Sequence, residues 1–516
     1  MNFVSRVPPN AAGLRRLVWP VTEAAVAAAL SLISSFVVAR LVGPAEVGIA
    51  AAAISVHVLL WVGVNALFAD ALVQRETVTD AELASAFWAS VAVGVAAMAV
   101  QAGSGWVLAW GFEDARLVLM ALALAPPLPL VGAAGVMQGL MTRRQEYRRV
   151  ALRTVIGHGC GTACGVAGAL SGWGAWAMVS QQCVTSLLGA VVLLAGAGWK
   201  PVFAWHWAAV RALLTTGLPL TASTLVLMAR YRLFAVLVGG WAGAPALGQV
   251  HMAFRLVDTV RDLAFTALWR LFLPDLSRFQ RDRSGMLARV DRLLAASSLL
   301  TLPLCGALAV SLVPFVAVAL GPQWQEAGAA AVPLSGLMAM LALTFPSGVA
   351  LVAAGKARFT LYGNLAGLVL ALAGVALFRP ERAESAVLIW CASQAAVLPY
   401  ALWVNARALE AGPLRPLQAA WPMAITTAAA VLAALALPAP ASAPIPLIAW
   451  RGLILAAITG GAIALLIRPF PMIRTWRSVD GANAALSVLG PRSGPAAREA
   501  GARSTGLEVG PGTEGR

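Results

Sequence analysis

Arg255, Asp258, Arg261 and Asp262 stand at offsets of 0, 3, 6 and 7 in one stretch of the chain. At 100° per residue they fall along one side of a helix, within about two turns. Their surroundings, residues 246–270, are otherwise largely apolar. A charge in such a run is costly unless it faces a bundle interior or a watery cavity. Asp258 can pair with Arg255 and Arg261, which lowers the desolvation cost of all three. In the preceding apolar run Arg230 and Arg232 flank Tyr231. The cavity candidates Arg230, Arg232, Arg255 and Arg261 therefore outnumber the two carboxylates beside them. A cationic cavity suits an anion and repels an organic cation, and the guanidinium fork grips a diphosphate with two parallel hydrogen bonds. Glu23, Asp70, Asp258 and Asp262 are candidates for ion coupling or ion pairing. The blander alternative is a set of structural ion pairs, or an interfacial helix whose arginines snorkel to headgroups; Arg270 reads that way.

Other chemistry has little to stand on. The sequence holds no G-x-x-x-x-G-K-[ST], no G-x-S-x-G and no H-E-x-x-H, so it offers no P-loop, hydrolase elbow or zinc-protease pair. Cys160, Cys164, Cys183, Cys305 and Cys391 all fall in apolar stretches without a C-x-x-C pair, and read as small packing residues. The expectation is a protein that is not an enzyme, with no metal and no cofactor.

The elements that must position these charges are set by apolarity. Hydrophobic residues make up 60% of the chain, charged residues 11%, and the mean hydropathy is +0.81. A soluble domain averages about 25% charged residues, so most of this chain must meet hydrocarbon. Runs of about 20 apolar residues suffice to span a bilayer. Fourteen candidates follow, at roughly 18–39, 46–69, 84–109, 115–140, 149–170, 173–196, 211–239, 246–270, 291–320, 327–354, 357–378, 384–406, 417–437 and 446–467. The first is too long for a signal-peptide core and lacks a clear cleavage site.

The net charge of +15 is concentrated in loops of one side, 21 Arg and Lys against 4 on the other. This is the positive-inside pattern for an even number of spans with both termini cytoplasmic. It leaves no basic face of the kind that nucleic-acid binders show, so nucleic acid is not expected as a partner. Residues 468–516, rich in Gly, Pro, Ser, Ala and Arg, read as a disordered cytoplasmic tail.

Gly43-Pro44-Ala45-Glu46-Val47-Gly48 recurs as Gly243-Ala244-Pro245-Ala246-Leu247-Gly248, 200 residues on. An even number of spans lies between the copies, so the halves would be parallel and related by an axis along the membrane normal, with the substrate between them. The expected fold is an all-α polytopic membrane protein of about 14 transmembrane helices, with two parallel six-helix lobes around a central cavity and two extra C-terminal helices. In residues, this is a cytoplasmic segment 1–17, a first lobe 18–196, a linker 197–210, a second lobe 211–406, the added helices 407–467 and the tail 468–516. Gly157, Gly161 and Gly165 form a small-residue face for close helix packing.

Several segments, in order, resemble the polysaccharide transporter branch of the multidrug/oligosaccharidyl-lipid/polysaccharide exporter superfamily. They are Ala39 to Gly48, Ala71-Leu72-Val73-Gln74-Arg75, Ala86-Phe87-Trp88, Gln138 to Tyr147, Gly172 to Val179, Gly198-Trp199-Lys200-Pro201, Gly243 to Gly248 and Leu273 to Arg278. The resemblance covers about residues 15–410. It implies alternating access between V-shaped lobes and translocation of polyprenyl-diphosphate-linked oligosaccharide across the bacterial inner membrane, for exopolysaccharide, O-antigen or capsule. Partners would be that lipid-linked oligosaccharide, membrane lipids, a polysaccharide polymerase and export machinery. The alternatives are a drug/cation antiporter or a lipid-linked peptidoglycan precursor flippase of the same superfamily, and beyond it a membrane-embedded glycan polymerase or ligase. In one respect the chain departs from the family. Many relatives carry an acid shortly before the second Gly turn, where this chain has Phe234, so any coupling by that acid would pass to Asp258 or Asp262.

Overall fold

The computed structural model describes residues 11–467 except 76, 200, 281, 357, 411, 413 and 440–442. The expected N-terminal segment is thus described only from residue 11, and the expected tail 468–516 lies outside the described residues. Among these residues all regular structure is helical. The order is α1 (Ala11–Val42), α2 (Pro44–Gln74), α3 (Asp80–Phe112), α4 (Arg116–Leu124), α5 (Pro127–Arg143), α6 (Tyr147–Leu170), α7 (Trp176–Gly196) and α8 (Trp207–Ser277). There follow α9 (Arg283–Ala319), a 3-10 turn (Pro322–Trp324), α10 (Gln325–Ala353), α11 (Arg358–Phe378), α12 (Ala383–Leu409), α13 (Arg415–Ala436) and α14 (Pro444–Ile467).

Ten segments of the described chain are long and apolar enough to cross a membrane, α4 and α5 counting as one and α8 as one. The expected fourteen is reached only by counting the two arms of α8 singly and adding α1, α6 and α13. The apolar parts of α1 and α13 are shorter, Val26–Val42 and Ala420–Ala436. In α6 the residues Arg148, Arg149, Arg153 and His158 lower the apolarity.

The breaks follow local chemistry. Thr79 closes the start of α3 with a capping box: its side chain accepts from the Glu82 N–H at 3.2 Å, and Glu82 accepts from the Thr79 N–H at 3.0 Å. Such reciprocal pairing satisfies donors that a helix start leaves open. Gly43 (φ 86°, ψ 165°) separates α1 from α2, and Gly243 (φ 81°, ψ 170°) kinks α8 into arms 207–242 and 244–277. A side chain would be strained at both positions, and each is followed within two residues by a proline that suits a helix start. The repeat seen in the sequence is therefore a repeat of backbone conformation.

One buried apolar cluster joins α2, α3, α5 and α7 with Val210 and Leu213 of α8. Another joins the second arm of α8 to α9, α10, α11 and α12, and takes in Ala39 and Val47. The added helices pack on α9 through Val310, Ala430, Ala434, Ile454 and Leu455. Gly157, Gly161 and Gly165 lie against α7, where a Cβ would meet Thr185 or Gln181 at 3.0 Å or less.

Candidate functional site

The charged stripe on the second arm of α8 meets α1. Arg255 donates through Nε to Ser35 Oγ at 3.2 Å and through Nη2 to Ser31 Oγ. It does not form the expected pair with Asp258: the nearby serines take its donors. Asp258 instead accepts from Arg261 at 2.7 Å, and Arg261 also reaches Asp262 at 3.0 Å. Asp262 is the outermost member, with its side chain 66% exposed against 30% for Asp258. Arg232 lies over the Tyr231 ring, 5.6 Å from its centroid, and the Tyr231 hydroxyl is 3.1 Å from His251 Nδ1. Two guanidiniums without a carboxylate salt bridge, Arg232 and Arg255, thus lie beside a carboxylate already claimed by Arg261.

Arg230 lies elsewhere. It donates to Asn364 Oδ1 of α11 at 2.5 Å and to Gln394 Oε1 of α12, with its guanidinium 5.5 Å from the centroid of Trp390. These two bonds tie Arg230 to α11 and α12 rather than to Arg255, while its Nε is buried without a hydrogen-bond partner among the described residues. Phe234, one turn along, is fully buried and 4.9 Å from the Trp390 ring. Glu23 accepts from Thr154 Oγ1 at 2.5 Å, and Asp70 is exposed at the end of α2. Neither joins the stripe. Among the described residues no group of His, Cys, Asp or Glu is arranged to hold a metal ion.

Ser31, Ser34 and Ser35 of α1 complete the site. Three serines at this helical spacing in the apolar α1 make a polar face. Ser34 donates to Gln181 Oε1 of α7 at 2.6 Å, while Ser31 and Ser35 serve Arg255. One face of α1 thereby stitches α7 to the second arm of α8.

The two Gly turns meet at one end of this assembly. A Cβ at Gly48 would sit 1.8 Å from the Ala244 carbonyl oxygen, and one at Gly248 1.9 Å from that of Pro44. The repeats therefore pack backbone to backbone, each against its counterpart. Around them Arg40 donates to the carbonyls of Val318 and Ala319 at 2.8 and 3.0 Å, and Trp324 Nε1 donates to the Ala39 carbonyl at 3.0 Å. Farther along, a Cβ at Gly217 would meet the Leu67 carbonyl oxygen at 1.9 Å, so the first arm of α8 also lies directly on α2.

Helices of this length and apolarity, with half-buried charge between them, define a multi-span helical membrane protein. The chain belongs to the polysaccharide biosynthesis protein family, whose model matches residues 37–329. It is 24% identical over 332 residues to the succinoglycan biosynthesis transport protein ExoT of Rhizobium meliloti (strain 1021), covering 63% of this chain and 65% of that one. It is also 24% identical over 328 residues to the teichuronic acid biosynthesis protein TuaB of Bacillus subtilis (strain 168), covering 60% and 64%. The chain thus spans somewhat less than two thirds of the length of these curated relatives. In fold it is similar to the lipid II flippase MurJ in an inward closed conformation, with a TM-score of 0.73 and 11% identity over 88% of this chain and 99% of that one. A multidrug resistance MATE family transporter of the MOP superfamily, in its inward-facing conformation, gives 0.53 and 12% over 76% and 98%.

Proposed function

We propose that this protein is a flippase that carries polyprenyl-diphosphate-linked oligosaccharide across the bacterial inner membrane by alternating access. The observation that carries this reading is the surplus of guanidinium at the junction of α1 and α8. Arg232 has no hydrogen-bond acceptor among the described residues, and the hydrogen bonds of Arg255 go to neutral serine hydroxyls, which leaves three guanidiniums around the two carboxylates Asp258 and Asp262. An uncompensated cation inside a membrane bundle is expensive, and a diphosphate would supply the missing charge. In the reaction cycle Arg255 and Arg232 would receive the diphosphate, Ser31 and Ser35 would orient Arg255, and Asp258 would keep Arg261 occupied until the substrate competes for it. Separation of the Gly48–Gly248 contact would open the end that is closed here. The names of the relatives, one a succinoglycan transport protein and the other a teichuronic acid biosynthesis protein, support the same substrate class. A drug/cation antiporter would not leave arginines in excess.

The test is complementation of a strain that lacks the gene. Arg255→Gln with Arg261→Gln is expected to abolish surface polysaccharide while the protein remains in the membrane at parental levels. Polymer export at the parental rate would sink the assignment of this cavity.

A further inference from the structure

A second polar site lies within the first seven helices, away from the α1–α8 stripe. A cavity of about 260 Å³ lies between α2, α5, α6 and α7. Trp61, Asn65, Arg153, Gln182, Thr185 and Ser186 line it. Arg153 donates to Gln138 Oε1 and lies 5.5 Å from the centroid of the Trp61 ring. Asn65 donates to the same Gln138 oxygen at 3.4 Å, and Gln182 donates to Ser186 Oγ at 3.3 Å. Thr154, also in the lining, donates to Glu23 Oε1 at 2.5 Å.

This donor set differs in kind from the stripe. Arg153 is the single guanidinium of the lining, with Glu23 bonded to the neighbouring Thr154, so the site lacks the arginine excess of the stripe. Amides and hydroxyls both donate and accept, and so suit a ligand with many hydroxyl groups, each itself donor and acceptor. A fork such as that of Arg153 can reach two adjacent oxygens. The indole supplies an apolar wall with fixed geometry. The volume lies just below the roughly 300 Å³ at which pockets for drug-sized ligands begin, which is room for a single ring rather than an extended chain. Glu23 and Ser31 are eight residues apart on α1, or about 12 Å along the helix, so this site lies at a short remove from the serines that hold Arg255.

We propose that the cavity between α2, α5, α6 and α7 is a saccharide subsite, receiving one sugar ring of the substrate in contact with Asn65, Arg153 and Gln182. This rests on the flippase reading for its role, although the site itself can be tested apart from it. The full chain, with its five native cysteines replaced, would carry Thr185→Cys and be purified in lipid nanodiscs. Alkylation by a small maleimide would be followed with increasing free glucose, galactose or N-acetylglucosamine, and with mannitol as an acyclic polyol. At least one of the cyclic sugars is expected to slow alkylation several-fold, with mannitol inert. Adding Gln182→Ala is expected to raise the half-protecting concentration roughly tenfold, as loss of one hydrogen bond would. Arg153→Lys keeps the charge but loses the fork, and should do the same. Equal protection by mannitol, protection by none of the sugars, or protection unchanged in both variants would overturn the subsite. Binding of undecaprenyl diphosphate without sugar is measured in parallel on the same protein. Its loss in Arg255→Gln tests the diphosphate site, so failure of the subsite and failure of the flippase reading give different results.

Discussion

Arg230 and Arg261 show how two arginines that look alike in sequence differ in consequence. Arg230 is held by two half-buried amides and an indole, while Arg261 sits in a partly exposed pair of carboxylates. Removing one partner from a buried hydrogen-bonded set leaves the others unsatisfied, at about 1–3 kcal/mol each. Breaking an exposed ion pair costs about 0–1 kcal/mol. Arg230→Met is therefore expected to lower the thermal midpoint of the detergent-solubilised protein clearly, and Arg261→Gln to leave it nearly unchanged. The opposite ranking in a thermal melt would return Arg230 to the substrate cavity and make Arg261 the structural residue. The sequence could not make this distinction. Asn364 and Gln394 lie 134 and 164 residues from Arg230, and nothing in local spacing pairs them with it.

At the scale of elements, the Gly turns decide which helices touch. At Gly48 any side chain would overlap the Ala244 carbonyl, and overpacking of this kind costs about 1–3 kcal/mol. Gly48→Ala is expected to push apart the starts of α2 and the second arm of α8. The readout is alkylation of Ile49→Cys, buried at 5% exposure in the native contact, which should speed up roughly tenfold, the equivalent of about 1.4 kcal/mol. An unchanged rate would mean that the contact does not close this end. Nearby, Glu46 accepts from Arg116 at 2.9 Å and from the Ala175 N–H at 2.8 Å, while Asp114 accepts from Arg116 at 2.8 Å. Arg116 holds the Asp114 carboxyl below its ordinary value of 3.8. A group whose folded value is depressed contributes stability above its unfolded value and loses it as pH falls through the folded value. A thermal melt series run downward from pH 5 should therefore show a loss that begins near pH 4 and is smaller in Asp114→Asn. Identical profiles would show that this clasp does not stabilise the turn.

At the scale of the whole molecule, charge asymmetry predicts orientation. On the positive-inside rule, the excess of Arg and Lys on alternate loops would place the Gly43, Gly243 and Asp114 ends outside and the Arg278 end inside. In a cysteine-free background, Asp114→Cys should react with a membrane-impermeant maleimide in intact cells. Arg278→Cys should react only after permeabilisation. Labelling of both in intact cells would refute the assigned topology. On that orientation the Gly48–Gly248 contact would lie at the outer face.

The sequence by itself determined the solvent of this protein, its helical class and the doubling of its first helix pair, because apolarity, helical period and Gly-Pro turns are written in consecutive residues. It also located the stripe Arg255, Asp258, Arg261 and Asp262, since four charges in an apolar run stand out without any fold. The partners were decided by the tertiary structure. Arg255 turns from Asp258 to Ser31 and Ser35 across 220 or more residues, Arg230 bonds to α11 and α12 rather than joining Arg255, and Arg153 lines a pocket. Each outcome depends on which helix faces lie together. Contacts between distant segments are set by packing around α1 and α8, which no local pattern encodes.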